Sequence, residues 1–280
     1  DLHSTSRRQR QMCIRDRKLS DYAIITGHST RFVGCPKTID NDLALTDHTP
    51  GYGSAAKYIG TSMKEIIRDG FCLEYEKGIV TIVEIMGRNA GWLTGAAALS
   101  EGEDCEGPDL IYLPETVFDL QKFSAKVKEL LKKKTSIVVA VSEGIRTADG
   151  NYVCELGNSV DFVDAFGHKQ LSGTASYLAS FIAGEIGCKT RAIELSTLQR
   201  SASHAASRVD ILEAYQVGGA AVKAADEGDS GKMVVLQRLS DDPYQCGTEV
   251  KDVHKIANDE KLVPRDWVNA VSYTHLRAHE

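Results

Sequence analysis

Apolar residues along this chain fall into short continuous runs separated by amphipathic segments. The continuous runs are rich in β-branched residues, which is typical of strands buried on both faces of a sheet, and the intervening segments have helical spacing. Strands are predicted at 77–87, 109–115, 135–144, 189–196 and 232–238, and helices at 89–102, 118–134, 170–187 and 207–228. This alternation predicts an α/β fold with mostly parallel, helix-flanked sheets, whose ligands bind beyond the carboxyl ends of strands.

The two ends of the chain do not continue this pattern. Asp1–Arg17 clusters arginines without apolar periodicity, and Val271–Glu280 follows no pattern of its own. We expect both segments to be non-native, adapter-derived sequence, so that the homologous protein runs from about Lys18 to Ala270. A solvated arm or a nucleic-acid-binding tail is the alternative for the basic N-terminal segment.

Composition narrows the class of protein. The chain has 280 residues, 42% of them hydrophobic, and a net charge of -6, which disfavours nucleic acid and anionic membranes as partners. No apolar run reaches the roughly 18 residues that span a bilayer, and no secretory signal is present, so we expect a cytoplasmic protein. The seven cysteines are widely spaced without a CxxC pair, which argues against a zinc site and a disulfide framework and favours free thiols.

Charged residues occur where several of the apolar runs begin or end. Arg88 follows one predicted strand and Glu143 lies at the end of a second, while Arg191 lies at the start of a third and Arg200 just beyond it. Arginine pairs suit phosphate groups and a carboxylate suits sugar hydroxyls, so together these residues indicate a sugar phosphate ligand. Taken singly, each arginine could be an ordinary surface charge and Glu143 a helix-capping acid.

The segment PKTIDND, residues 36–42, carries the candidate chemistry. Asp40 and Asp42 are two positions apart, so in an extended segment their side chains would share one side of the chain. One carboxylate could then accept the proton of an attacking hydroxyl while the other held a magnesium–phosphate complex, and Lys37 could neutralise the transferred phosphate. Turn or capping roles beside Pro36 are the common alternative for such residues.

The ordered motifs PKTIDNDL, VEIMGRNAGWLT, LPE, VSEG, DAFGH and ELSTLQR resemble the phosphofructokinase family, from about Val33 to Trp267. Lys37 makes the chain similar to the pyrophosphate-dependent branch, because ATP-dependent bacterial members usually have glycine there. The resemblance implies a three-layer fold with two Rossmann-like subdomains of mostly parallel sheet, the first incomplete. Residues 18–107 would form the remainder of the donor-side subdomain, and 108–270 mainly the acceptor sugar-phosphate subdomain.

The resemblance also implies an activity and a set of site residues. The activity is transfer of a phosphoryl group from diphosphate to the 1-hydroxyl of fructose 6-phosphate, with Mg²⁺. Asp40 matches the general base and Asp42 the acid beside the metal, while Lys37, Thr38 and Arg88 would face the transferred group. Met86, Gly87 and Glu143 would contact the sugar, Arg200 would bind the 6-phosphate, and Arg191 would be a further substrate-binding residue. Because Arg191 matches an arginine that crosses a subunit interface, the resemblance implies a homo-oligomer, a dimer or a tetramer.

Three departures from the family pattern bear on this expectation. Ile79 stands where bacterial ATP-dependent members have a substrate-binding arginine, with Lys77 nearby, and Thr197 replaces a histidine of the 6-phosphate site. The family's N-terminal strands and glycine-rich donor loop should also precede PKTIDND, yet we expect fewer than twenty native residues before Val33. We therefore expect this chain by itself to be weakly active or inactive.

Two further motifs have ordinary explanations. Residues 51–70 miss the GxGxxG spacing of a dinucleotide site and predict an amphipathic helix with Ile59, Met63, Ile66 and Ile67 packing inward. His168 is interpreted as a structural or capping histidine.

The alternatives to a pyrophosphate-dependent enzyme are an ATP-dependent 6-phosphofructokinase and a non-catalytic sugar-phosphate-binding regulatory subunit.

Overall fold

The computed structural model describes residues 7–72, 76–157, 173–257 and 259–268. Its helices are α1 (Arg7–Thr26), α2 (Tyr52–Phe71), α3 (Trp92–Gly95), α4 (Leu120–Leu130), α5 (Thr174–Ile186), α6 (Leu198–Ser201), α7 (Arg208–Glu227) and α8 (Val253–Ala257). Its strands are β1 (Val33–Gly34), β2 (Ile79–Ile85), β3 (Leu110–Tyr112), β4 (Ser136–Ser142), β5 (Lys189–Glu194), β6 (Lys232–Asp241) and β7 (Tyr244–Asp252). His168, the DAFGH motif and the segment 271–280 lie outside the described residues.

The chain divides into two compact units that are interleaved along the sequence. Unit 1 comprises residues 1–55 and 203–261, and unit 2 comprises residues 56–202 and 262–280. This division differs from the single boundary after residue 107 that we expected from the sequence. The physical reason is that β1 pairs with β6, which draws two distant stretches of the chain into one unit.

Unit 2 is built on a four-stranded parallel sheet with the order β3-β4-β2-β5. Every residue of β2 is buried, and so is every residue of β4 after Ser136, as the continuous apolar runs predict. Phe123 and Val127 of α4 and Leu178 and Ile182 of α5 belong to the same core as these two strands. The predicted α/β fold with a parallel sheet is therefore confirmed.

Three helical segments differ in how closely they follow the sequence pattern. Helix α4 begins after Asp119, whose side chain accepts hydrogen bonds from the main-chain N–H groups of Gln121 and Lys122 at 2.9 and 3.0 Å. The segment 89–102 forms only the short helix α3 and a 3₁₀ helix at Ala96–Ser100, instead of the single helix predicted. In α2, the helix predicted at 51–70, Ile59, Met63 and Ile67 are buried as predicted, whereas Ile66 is only half-buried.

Unit 1 contains a three-stranded mixed sheet with the order β1-β6-β7. Strand β1 runs parallel to β6, and β7 returns antiparallel to β6 after a turn at Asp242 and Pro243. This hairpin was not predicted, although the turn residues between two strand-like segments were its signal. Apolar side chains from β6 fill two clusters, one with α8 and Leu43 and the other with α7.

Helix α1 extends into the segment that we expected to lie outside the fold. It begins at Arg7, and its later residues Ser20 and Ala23 are buried in unit 1, where the helix packs against α8. Residues 7–17 therefore belong to a helix that is continuous with the folded chain. Among the described residues, none of the helices is long and apolar enough to cross a membrane.

Candidate active site

The PKTIDND segment of unit 1 forms a strained turn directly after β1. Thr38 has φ of 110° and Asn41 has φ of 56°, so the segment is not the extended strand assumed in the sequence argument. A β-branched residue at positive φ costs on the order of 1–3 kcal/mol and persists only where neighbours enforce it. Thr49 enforces it here, because its hydroxyl donates to the Thr38 carbonyl at 2.6 Å and its N–H donates to Asn41 Oδ1 at 3.1 Å.

Two carboxylates of this turn interact electrostatically. Burial first, and then the negative charges of Asp40 and Glu260, raise the pKa of Asp42 to about 7, although Lys37 partly opposes the change. The main-chain carbonyl of Asp42 accepts a hydrogen bond from the N–H of Lys261 at 2.9 Å, which holds the turn against the segment beyond α8. Asp42 is therefore a half-buried acid whose charged form needs a cationic partner.

The side chain of Asp42 suits a divalent cation that is shared with a substrate. Its Oδ1 atom is buried and accepts no hydrogen bond within the described part of the chain. No group of three or more His, Cys, Asp or Glu side chains in those residues could hold a metal ion alone. Mg²⁺, however, commonly binds one or two carboxylates and completes its shell with water and substrate phosphates. The residues present fit such a shared ion and do not form a closed metal cage.

Helix α7 anchors the chain just after this turn. The carboxylate of Asp210 accepts hydrogen bonds from Gly51 N at 2.7 Å, from Ser54 N at 3.0 Å and from Ser54 Oγ at 2.6 Å. One buried side chain therefore fixes the start of α2 and the approach to it. Sequence reasoning missed Asp210, since its only signal was an acid in the first turn of a predicted helix.

In unit 2 the chain segments that follow β2 and β4 lie against each other. Gly87 has φ of 134°, and a Cβ atom on it would stand 2.6 Å from the carbonyl oxygen of Ala90. Its own carbonyl accepts a hydrogen bond from Ser142 Oγ at 2.5 Å, and Glu143 N donates to the carbonyl of Ile85 at 2.9 Å. The MGR and VSEG motifs are thereby brought together at the carboxyl ends of two neighbouring strands.

A buried acid lies beneath these motifs. Glu84, on β2, accepts a hydrogen bond from Ala175 N at 2.9 Å and so caps the N-terminus of α5. Burial is the largest influence and raises the pKa of Glu84 to about 7, because the backbone N–H groups of α5 only partly compensate it. Thr174 in the same turn donates its hydroxyl to the carbonyl of Glu143 at 3.3 Å. Glu84 was missed because it sits within an apolar run that predicts only a strand.

Arg200 is attached to the MGR motif through its neighbour. The buried side chain of Gln199 accepts a hydrogen bond from Met86 N at 3.3 Å, while Arg200 is exposed in the short helix α6. Thr197, the departure from the family's histidine, lies exposed just before α6. The carboxyl ends of β2 and β4 therefore lie close to the chain segments that carry Met86, Gly87, Arg88, Glu143 and Arg200.

Arg191 is not part of that group. It is the third residue of β5 and pairs in register with Thr81, close to the start of β2 and away from its carboxyl end. Its guanidinium donates to Asp69 Oδ2 at 2.7 Å, and both side chains are exposed at the surface. Ile79, the other departure, begins β2 and is fully buried. Unit 1 contains the turn with Lys37, Thr38, Asp40 and Asp42.

Comparisons with known proteins identify the family. The family profile described as phosphofructokinase matches residues 9–225, beginning inside the segment expected to be non-native. Proteins named pyrophosphate–fructose 6-phosphate 1-phosphotransferase from Halomonas elongata and Xanthomonas campestris are 41% and 42% identical, each over 90% of this chain. The crystal structure of a pyrophosphate-dependent phosphofructokinase from Marinobacter aquaeolei superposes with a TM-score of 0.79 at 31% identity, covering 96% of this chain.

These matches extend over only part of each relative. The chain spans 59% of the length of both curated proteins and 62% of the Marinobacter aquaeolei chain. Within that span the fold agrees with the resemblance noted in the sequence. The chain belongs to the phosphofructokinase family.

Proposed function

We propose that this chain is part of a diphosphate-dependent 6-phosphofructokinase, which transfers a phosphoryl group from diphosphate to fructose 6-phosphate and gives fructose 1,6-bisphosphate. The observation that carries the proposal is the strained PKTIDND turn, in which Lys37, Asp40 and the half-buried Asp42 follow one short strand. The names of the two curated relatives support the choice of diphosphate as donor. An enzyme of this kind would act in the cytoplasm.

The chemistry assigned to the turn is that of a general base beside phosphates. Asp40 takes the proton from the 1-hydroxyl as the hydroxyl oxygen forms its bond to the nearer phosphorus of diphosphate. The bond to the bridging oxygen breaks at the same time, and inorganic phosphate leaves with the electron pair. Lys37 and Thr38 face the transferred group, and the charge of Lys37 stabilises the leaving phosphate. Mg²⁺, held through Asp42, would neutralise negative charge on the diphosphate.

The residues of unit 2 are assigned to binding of the sugar phosphate. Met86 and Gly87 line the sugar, Glu143 accepts hydrogen bonds from its hydroxyl groups, and Arg88 stabilises charge on the transferred phosphoryl group. Arg200 binds the 6-phosphate through its guanidinium fork. Because the side chain of Arg191 lies apart from that group within its unit, we assign it to the 6-phosphate of a neighbouring copy in a homo-oligomer.

The test is a comparison of phosphoryl donors. Formation of fructose 1,6-bisphosphate is measured with Mg²⁺ and either diphosphate or ATP, on this chain and on a version extended at its N-terminus with the corresponding segment of the Halomonas elongata relative. In the extended version we expect turnover with diphosphate, and we expect its Lys37→Gly variant to lose much of the preference for diphosphate, whereas this chain alone should be weakly active or inactive. Turnover with ATP alone would overturn the assignment of the donor.

A second variant tests the base. Asp40→Asn keeps the shape of the side chain but cannot take the proton, so we expect kcat to fall roughly 10²- to 10⁴-fold. The affinity for fructose 6-phosphate, measured by calorimetry, should change less than about threefold. Sugar-phosphate binding without turnover in the unmodified extended chain, with either donor, would favour the regulatory-subunit alternative.

A further inference from the structure

His48 bridges two carboxylates in unit 1. Its Nδ1 atom lies 2.8 Å from Asp47 Oδ2, and its Nε2 atom lies 2.7 Å from Glu213 Oε2 on α7. An ionised carboxylate only accepts hydrogen bonds, so both ring nitrogens must carry a proton for both contacts to form. The geometry therefore requires the charged imidazolium form of His48.

The groups on the Asp47 side of the ring reinforce this arrangement. Arg238 of β6 forms a fork on Asp47, with Nε 3.1 Å from Oδ1 and Nη2 3.1 Å from Oδ2. Hydrogen bonds from His48 and Arg238 hold the pKa of Asp47 below its usual range. Lys261 Nζ donates to the main-chain carbonyl of Asp47, and burial lowers the pKa of this lysine.

The groups on the Glu213 side come from β7. Tyr244 donates its hydroxyl to Glu213 Oε1 at 2.6 Å, and Cys246 of the same strand lies within electrostatic range of Glu213 and Asp47. Burial and the hydrogen bond to Glu213 raise the pKa of Tyr244, which keeps it a donor. Burial disfavours the charged form of His48, but its two carboxylate partners outweigh burial and raise its pKa.

His48 is joined directly to the residue that shapes the catalytic turn. Thr49, the next residue, is fully buried and holds the Thr38 carbonyl and the Asn41 side chain. The main chain before His48 is fixed as well, because Asp47 N donates to the carbonyl of Leu236 at 2.9 Å. The position of the turn therefore depends on how residues 47–49 are held against α7 and β6.

We propose that His48 is a positioning residue for the phosphoryl transfer assigned above: by joining Asp47 to Glu213, it holds Thr49 where that residue imposes the strained geometry of the Asp40 turn. This inference rests on the proposed function only for its effect on turnover. Loss of one proton would leave a ring nitrogen lone pair facing a carboxylate oxygen, and the two would repel each other. The turn would then be free to relax, because the contacts of His48 and Thr49 maintain its strained backbone.

The test compares three variants in the extended chain. His48→Gln removes the charge and one of the two contacts, and we expect kcat to fall roughly 10- to 100-fold with little change in the KM for fructose 6-phosphate. Glu213→Gln leaves the ring of His48 in place but removes the negative charge beside it, which lowers the pKa of His48. The alkaline limb of the kcat–pH profile should therefore move to lower pH. His254→Gln is the control, since His254 on α8 also lies between two aspartates, at 2.9 and 3.2 Å from Asp252 and Asp21, but its side chain is exposed.

A second readout separates failure of this inference from failure of the proposed function. NMR of the ring nitrogens of His48 should detect both protons near neutral pH, and amide exchange of Thr49 should accelerate as the ring deprotonates or in His48→Gln. Those results would support the inference even if no variant turned over. An unmoved pH profile in an active enzyme, or unchanged protection of Thr49 in an inactive one, would overturn it.

Discussion

The carbonyl oxygen of Arg88 lies 1.9 Å from the point at which a Cβ atom on Gly144 would stand. Because a real Cβ never approaches an oxygen so closely, any other residue at this position would push the MGR and VSEG segments apart. We expect Gly144→Ala to lower the free energy of unfolding by about 2–3 kcal/mol or more, and to weaken binding of fructose 6-phosphate. Urea unfolding followed by circular dichroism, with calorimetry for binding, measures both effects.

The control for this prediction is Gly184→Ala. Gly184 lies within α5, and a Cβ atom there would meet nothing within 4 Å. Alanine should therefore stabilise the helix by about 0.5–1 kcal/mol. Equal destabilisation by both substitutions would mean that the close approach of Arg88 to Gly144 is not what restricts the residue.

Glu84 predicts a specific dependence of stability on pH. Its pKa in the folded protein is about 7, above the ordinary value of 4.5, so between these values the folded state holds a proton that the unfolded state lacks. Stability from this group is full below pH 4.5 and falls as the pH rises through 7, by up to about 3 kcal/mol. Glu84→Gln should abolish this part of the fall. Denaturant titrations between pH 5 and about pH 8 test it, with Glu185→Gln, an exposed carboxylate of α5, as control.

Thr49 offers a test of the strained turn. Thr49→Val removes the hydroxyl that donates to the Thr38 carbonyl and leaves that carbonyl without its buried partner. We expect a loss of about 1–3 kcal/mol in unfolding free energy and a fall in kcat. Thr61→Val is matched, since Thr61 donates to the carbonyl of Lys57 on an exposed turn of α2 and should change stability by less than about 0.5 kcal/mol.

Substitutions at Arg191 and Asp69 distinguish an effect on substrate binding from an effect on the stability of the fold. Because their ion pair is exposed, breaking it from either side should change the unfolding free energy by less than about 1 kcal/mol. If Arg191 binds the 6-phosphate of a neighbouring copy, Arg191→Ala should raise the KM for fructose 6-phosphate about tenfold or more, whereas Asp69→Ala should not raise it. Equal effects on KM would assign Arg191 to the surface of its own subunit.

Local patterns predicted the elements of this fold better than their arrangement. The strand runs at 77–87 and 135–144 contain β2 and β4 because a strand buried on both faces must be apolar at every position. The same rule concealed Glu84, whose burial depends on the backbone N–H groups of a helix far along the chain. The interleaving of the two units could not be predicted from local patterns either, because it follows from the pairing of two distant residues, Val33 and Lys232.

The candidate site was predicted to a similar extent. Motif order led to the turn with Asp40 and to the segments that follow β2 and β4, because each motif is local. The turn's backbone geometry was not predictable, since positive φ at Thr38 is imposed by Thr49 and opposes the residue's own preference. The contact of His48 with Glu213 joins two segments that have no common pattern in the sequence.

Interleaving of the two units also affects the order in which parts of the chain can fold during synthesis. Residues 56–202 are continuous, so most of unit 2 can fold as soon as they leave the ribosome, whereas β1 must wait for β6. At a synthesis rate of about 5–20 residues per second, this delay lasts on the order of ten seconds or more. During that time the turn with Asp40 lacks the contacts that depend on Asp210, Glu213 and Arg238, so this segment acquires its final shape well after it has been translated.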